Sequence, residues 1–204
     1  MYTPKSFQVT DSAEIRRFLQ HHSFATVVSI ADTKPVATHI PLHMHNDEEA
    51  LYFTGHVARA NPQWQTLQQG QVLAIFQGPH AYVSSSWYMI EQVPTWNYEV
   101  VHVYGTVELL GKAETLHHMD ELLKKYEHGR EHAVTLDGLT PQLVEGMLNG
   151  LVAFRLNVTS IEATYKLSQN RSETDYMRVI DGLLNEHQPE ATATAHEMKR
   201  IRHE

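Results

Sequence analysis

No cysteine occurs in this chain of 204 residues. That excludes disulfides, thiolate zinc sites and cysteine nucleophiles. Uninterrupted apolar runs are short, and none approaches the roughly 18 residues of a membrane-spanning helix. The first residues, Met1-Tyr2-Thr3-Pro4-Lys5, carry no apolar signal core, so the expected location is cytoplasmic, with no membrane partner. Basic charge is also scarce. Sixteen Lys and Arg stand against 24 Asp and Glu, for a net charge of −8. A broad basic surface for nucleic acid is therefore not expected, and direct DNA contact is not supported by the charge. There is no glycine-rich phosphate loop, no GxSxG and no HExxH, which removes the commonest nucleotide, hydrolase and metalloprotease signatures.

The chain is organised around the stretch from Val72 to Leu110, which reads as strand, polar-aromatic loop and long strand. Val101, Val103, Val107 and Leu109 share one face of the second strand, and Trp96, Tyr98, His102, Tyr104 and Thr106 the other. The first face suits a core. The second presents flat rings with polar tips to a planar ligand or partner subunit, or is simply the outer face of an antiparallel strand. Further strands are expected over Phe24–Ile30, Pro35–His45, Leu51–His56, Leu151–Val158 and Tyr165–Leu167, with a turn at residues 46–49. Helices are expected from Asp11, over Lys112–Glu127, from Thr140-Pro141 to Gly150, and after Ser172. Gln188–Ala195 reads as a low-complexity linker, after which a short polar helix is expected to close the chain. The expected layout is thus a domain over 1–187 followed by a linker and tail over 188–204, in a mainly β fold with peripheral helices.

Asn61-Pro62 opens a short helix expected to end near Gly70. Unpaired amides beside Arg59 could form an anion site, although Asn-Pro starts many ordinary helices. Ser84-Ser85-Ser86 reads as a hydrogen-bonding loop rather than a nucleophile, and no catalytic residue is assigned. His39, His43 and His45 share strand parity, but no carboxylate stands at ligand spacing. They read as a solvated histidine-rich edge, and no metal ligand is assigned. The run Lys166-Leu167-Ser168-Gln169-Asn170-Arg171 follows a strand, where basic and amide groups can meet a phosphorylated ligand or form a capped loop.

KLSQNR, with GHVARANPQW, FQGPHAYVSSSWY and VPTWNYEVVHVYG, resembles the PaiB family of FMN-binding negative transcriptional regulators. The resemblance covers nearly the whole chain and implies the FMN-binding split barrel of the pyridoxamine-phosphate oxidases. That fold is a six-stranded antiparallel barrel acting as a homodimer, with FMN at the subunit interface. The resemblance carries FMN contacts onto Thr38, His39, Thr54, Arg59 and Asn61, with Arg59 on the phosphate. Ser85, Trp87, Trp96, Lys166, Gln169, Asn170 and Arg171 would complete the site. The oxidases have an Arg and a Lys on the strand where this chain has Thr38, His39 and Leu42, so their substrate chemistry is not carried over. The function implied is a flavin-binding transcriptional repressor rather than an enzyme. The alternative is an FMN-dependent oxidoreductase acting on a small molecule.

Overall fold

A computed structural model describes residues 1–46 and 51–203; the expected turn at 46–49 lies largely outside them. Among the described residues, eight strands form antiparallel ladders: β1 (Gln8–Val9), β2 (Phe24–Ala31), β3 (Lys34–Pro41), β4 (His43–Asn46), β5 (Leu51–Ala58), β6 (Val72–Val83), β7 (Thr95–Leu109) and β8 (Leu151–Lys166). The hydrogen-bonded order is β3-β2-β6-β7-β8-β5-β4, with β1 on β8. Five α-helices accompany them: α1 (Ser12–His21), α2 (Lys112–Glu127), α3 (Pro141–Gly150), α4 (Glu173–Asn185) and α5 (Pro189–His203). Among the described residues, no helix is long and apolar enough to cross a membrane.

The strand count and the open order differ from the expected six-stranded barrel: β1 is an additional strand, and two expected strands have other limits. Pro41 lacks an N–H and ends β3. The next residue, Leu42, turns inwards (1% exposed) while its amide donates to Ser23 O, so one expected strand becomes β3 and β4. In β8 the apolar alternation lapses at Thr159-Ser160, yet pairing continues to Thr164 through β1. Two expected strands therefore fuse.

Contacts divide the chain into two compact units. One holds Met1–His22, Phe76–His102 and Glu162–Glu204; the other holds Ser23–Ile75 and Val103–Ile161. In the first, Phe18, Phe76, Val101, Leu167, Tyr176, Val179, Ile180 and Leu183 are buried. In the second, Val27, Leu42, Phe53, Val57, Val103, Phe154 and Leu156 are buried. Each such side chain contributes about 1.5–3 kcal/mol of hydrophobic stabilisation.

Residues 188–195 are not a linker. Pro189 begins α5, whose Ala191, Ala195 and Met198 are buried together with Thr194. Arg200 donates to Glu14 at 2.7 and 3.0 Å and to Glu197 at 2.8 Å, tying α5 to α1 within the first unit. Burial raises the Glu14 pKa, but hydrogen bonds from Arg17 and Arg200 outweigh it and bring it down to about 2.

Candidate functional site

The residues expected to hold FMN fall into both units. In the second unit, Thr38 on β3 and Asn61 meet. Asn61 Nδ2 donates to Thr38 Oγ1 at 2.8 Å, and the Thr38 hydroxyl donates to Gln63 Oε1. The organiser is Gln63, which the sequence reading left out. It is 5% exposed, and its amide nitrogen donates to Val27 O at 2.9 Å and Val36 O at 3.2 Å, joining β2, β3 and the turn after Asn61. The signal was present in Asn-Pro-Gln: Asn61 Oδ1 accepts from Gln63 N and fixes the glutamine at the start of the turn. A cavity of about 270 Å³ lies beside Thr38, Asn61, Pro62 and Gln65. His39 is exposed, within 2.9 Å of Thr26 Oγ1 and stacked on the Phe24 ring.

Arg59 is differently employed. Its Nε donates to Asn149 O and its Nη2 to Leu151 O, both at 2.9 Å. These carbonyls lie where α3 ends and β8 begins, so the guanidinium caps the negative end of α3. The element after Asn61 is a four-residue 3-10 turn, Pro62–Gln65, not a helix reaching Gly70. It presents too few aligned amides to act as an anion site by itself. Thr54 also has other partners. Its hydroxyl lies 2.9 Å from His45 Nε2 and 2.9 Å from His118 Nδ1, in a histidine network that extends to His56. Burial, reinforced by the neighbouring imidazoles, lowers the His118 pKa to about 3.

In the first unit, Lys166, Arg171 and Trp96 come together near the end of β8 and the start of β7. Lys166 Nζ donates to Thr95 Oγ1 and, at 3.0 Å, to Trp96 O. Arg171 donates to Gln92 Oε1 at 2.9 Å, with its guanidinium 4.8 Å from the centre of the Tyr88 ring. Burial lowers the Lys166 pKa, and the Arg171 charge lowers it further. Trp96 is 48% exposed and Tyr82 50%. Their rings meet edge to face at 6.2 Å, and the Trp96 indole donates to His80 Nδ1.

The other expected residues of this unit build the scaffold. Gln169 folds back on its own turn, accepting from Leu167 N at 2.7 Å and donating to Tyr165 O at 2.5 Å. Asn170 is exposed in that turn. Ser85 opens a 3-10 turn capped by Ser84. Trp87 packs flat on Gly182 of α4, where an added Cβ would stand 2.4 Å from the indole. The expected face of β7 holds at Val101, Val103 and Val107, but it continues into the buried polar Asn97 and Glu99. A cavity of about 660 Å³ between α2 and the segment after it includes none of these side chains.

Residues 1–160 match the family model described as "Putative FMN-binding domain". The chain belongs to this FMN-binding family, and FMN is its cofactor. Over 200 residues it is 50% identical to the protease synthase and sporulation protein PAI 2 of Bacillus subtilis (strain 168), spanning 98% of this chain and 97% of that one. The same relationship bears out the PaiB-type motifs. The fold is shared with two solved structures. These are the FAD and heme binding protein of Mycobacterium smegmatis (TM-score 0.61, 18% identity, 83% of this chain and 78% of that one) and the flavocytochrome Anf3 of Azotobacter vinelandii (TM-score 0.62, 14% identity, 84% and 75%).

The donor set suits FMN. Lys166 and Arg171 are two cations within electrostatic reach of each other, and their hydrogen-bond partners, a hydroxyl, a carbonyl and an amide, are all neutral. A phosphate dianion relieves that repulsion. The half-exposed Trp96 and Tyr82 offer ring faces to an isoalloxazine.

Proposed function

We propose that this protein is an FMN-binding negative regulator of transcription that works as a homodimer. The carrying observation is the 50% identity to PAI 2 along practically the whole of both chains. In this reading Lys166 and Arg171 hold the FMN phosphate, and Trp96 bounds the ring system. In the second unit, Gln63 holds Thr38 and Asn61 together, and His39 is exposed on β3. Thr54 belongs instead to the histidine network of the second unit, and Ser85, Trp87 and Gln169 to the scaffold of the first. Arg59 serves the α3 terminus. FMN, when bound, supplies a ring that accepts and returns electrons, which gives a regulator a redox-sensitive state.

Titration of the purified chain with FMN, followed by flavin fluorescence, tests this. Quenching should saturate at one FMN per chain. Lys166→Ala and Arg171→Ala should each weaken binding by about 10- to 100-fold, the loss of one charge-assisted contact. Arg59→Ala should change it little. Absence of saturable binding, or a loss confined to Arg59→Ala, refutes the assignment. Steady NAD(P)H turnover with FMN added would favour the oxidoreductase alternative.

A further inference from the structure

The second unit contains a constellation that the flavin reading does not use. In the β4–β5 hairpin, His43 lies opposite Thr54 and His45 opposite Tyr52. Two residues apart on one strand, both imidazoles project to the same side, and their rings meet edge to face at 4.7 Å. Helix α2 brings Glu121 to that side, with its Oε2 3.7 Å from His45 Nε2. One ligand atom from each of His43, His45 and Glu121 lies within 4.8 Å of the other two. The carboxylate that the strand lacks at ligand spacing is therefore delivered from a helix distant in sequence.

Two of the atoms are costly as they stand. His43 Nδ1 and Glu121 Oε2 are buried, and neither has a hydrogen-bond partner among the described residues. An unsatisfied buried polar atom destabilises a fold. Two of them on residues that cluster with a third donor mark a place where a shared partner would be stabilising. A proton on one group can serve only one neighbour, whereas a divalent cation satisfies all three together.

We propose that His43, His45 and Glu121 form a binding site for a divalent transition metal of the Zn²⁺ class. Two imidazoles and a carboxylate, with no thiolate, match that class better than soft Cu(I) or the all-oxygen preference of Ca²⁺ and Mg²⁺. Ligand atoms at about 2.0–2.2 Å from a tetrahedral ion stand roughly 3.5 Å apart, so the site closes by about 1 Å on binding. His45 Nε2 exchanges its contact with Thr54 for the metal. His117, also on α2, is the available fourth ligand: its side chain is 72% exposed and its Nε2 lies 3.6 Å from Glu121 Oε1. Two cations oppose the site and limit its affinity. The Lys125 charge reaches His43, and Arg155 lies over the Tyr52 ring that stacks on His45. The metal would pin α2 to the hairpin.

The test uses the full chain stripped with a chelator and titrated with Zn²⁺ against a chromophoric competitor. Co²⁺ provides a second, spectroscopic reading. One Zn²⁺ per chain should bind with a Kd of about 1 μM or tighter, Co²⁺ should give the visible bands of a four- or five-coordinate ion, and Zn²⁺ should raise the melting temperature. His43→Gln and Glu121→Gln should each weaken Zn²⁺ at least about 10-fold. His132→Gln, in an exposed turn of the same unit, should leave it unchanged and controls for scattered binding among the fifteen histidines. Far-UV circular dichroism verifies that each variant folds. If His43→Gln fails that check, Glu121→Gln and the Co²⁺ spectrum of the unmodified chain decide. Weaker than stoichiometric binding, an octahedral Co²⁺ spectrum, or full affinity in Glu121→Gln overturns the proposal.

Discussion

Glu99 should make this protein less stable as pH rises through neutrality, and Glu99→Gln should remove that dependence. The side chain is fully buried on β7, and neither carboxylate oxygen has a hydrogen-bond partner among the described residues. Gly78 permits the crowding: a Cβ there would stand 2.7 Å from the Phe18 ring and 3.1 Å from Glu99 Oε2. Burial, with Glu197 adding repulsion, pushes the Glu99 pKa from 4.5 up to about 8. The folded state therefore keeps a proton that the unfolded state releases between those values. Its contribution is present in full below pH 4.5 and is lost as pH rises through 8, at about 1.4 kcal/mol per pH unit. The whole interval sets an upper bound of about 5 kcal/mol. Glutamine has the same shape but cannot ionise. Urea unfolding of both proteins at pH 5, 6.5 and 8.5 should give a stability difference that grows in favour of Glu99→Gln with pH. Because the comparison is between two proteins at each pH, titrations common to both cancel. A difference that does not change with pH refutes the reasoning.

Two further outcomes follow from packing and charge in the first unit. Glu14→Gln should destabilise the fold by about 2–3 kcal/mol at pH 7 through loss of the Arg17 and Arg200 contacts. Because the Glu14 pKa is lowered to about 2, that penalty should shrink as pH falls from 4.5 towards 2, measurable by denaturant titration in acid. Gly182→Ala puts a methyl group into the Trp87 indole and should cost about 1–3 kcal/mol. A lowered melting midpoint would register it, and the paired change Trp87→Leu should recover part of the loss.

Local chemistry with a short reach was legible. Asp11, Asn61, Thr140 and Ser172 each accept a backbone N–H at a helix or turn start, because an N-cap depends on a residue and its next two or three neighbours. The limits of α2 and α3 followed from apolar spacing and Thr-Pro for the same reason. What escaped depends on distant partners. Glu99 and Asn97 look like surface residues until Ser168, with its φ of 64°, and Met198 are brought against Asn97. In α5, the buried stripe consists mostly of alanine and threonine, which carries little hydrophobic signal and so reads as linker. Arg59 was legible as a cation near a turn, but its use on α3 required the fold. Glu121 was legible as a helix residue, and only the packing of α2 brought it to His43 and His45.

The basic tail bears on how the proposed regulation could work. Lys199, Arg200 and Arg202 look in sequence like an arm for DNA phosphates, two of which a homodimer would bring together. In the folded chain Arg200 is spent on Glu14 and Glu197. Arg202 pairs with Glu173, with its guanidinium 4.4 Å from the centre of the Tyr176 ring. To bind DNA, these cations would have to leave carboxylates already in place, so fewer counterions would be released and the electrostatic drive would be weak. A net charge of −8 adds repulsion at every approach. If the proposed regulation holds, the tail is therefore a poor candidate for direct DNA contact. A steep salt-dependent gel shift of a promoter fragment, abolished by removing residues from Gln188 onward in a variant shown to remain folded, would reverse that conclusion.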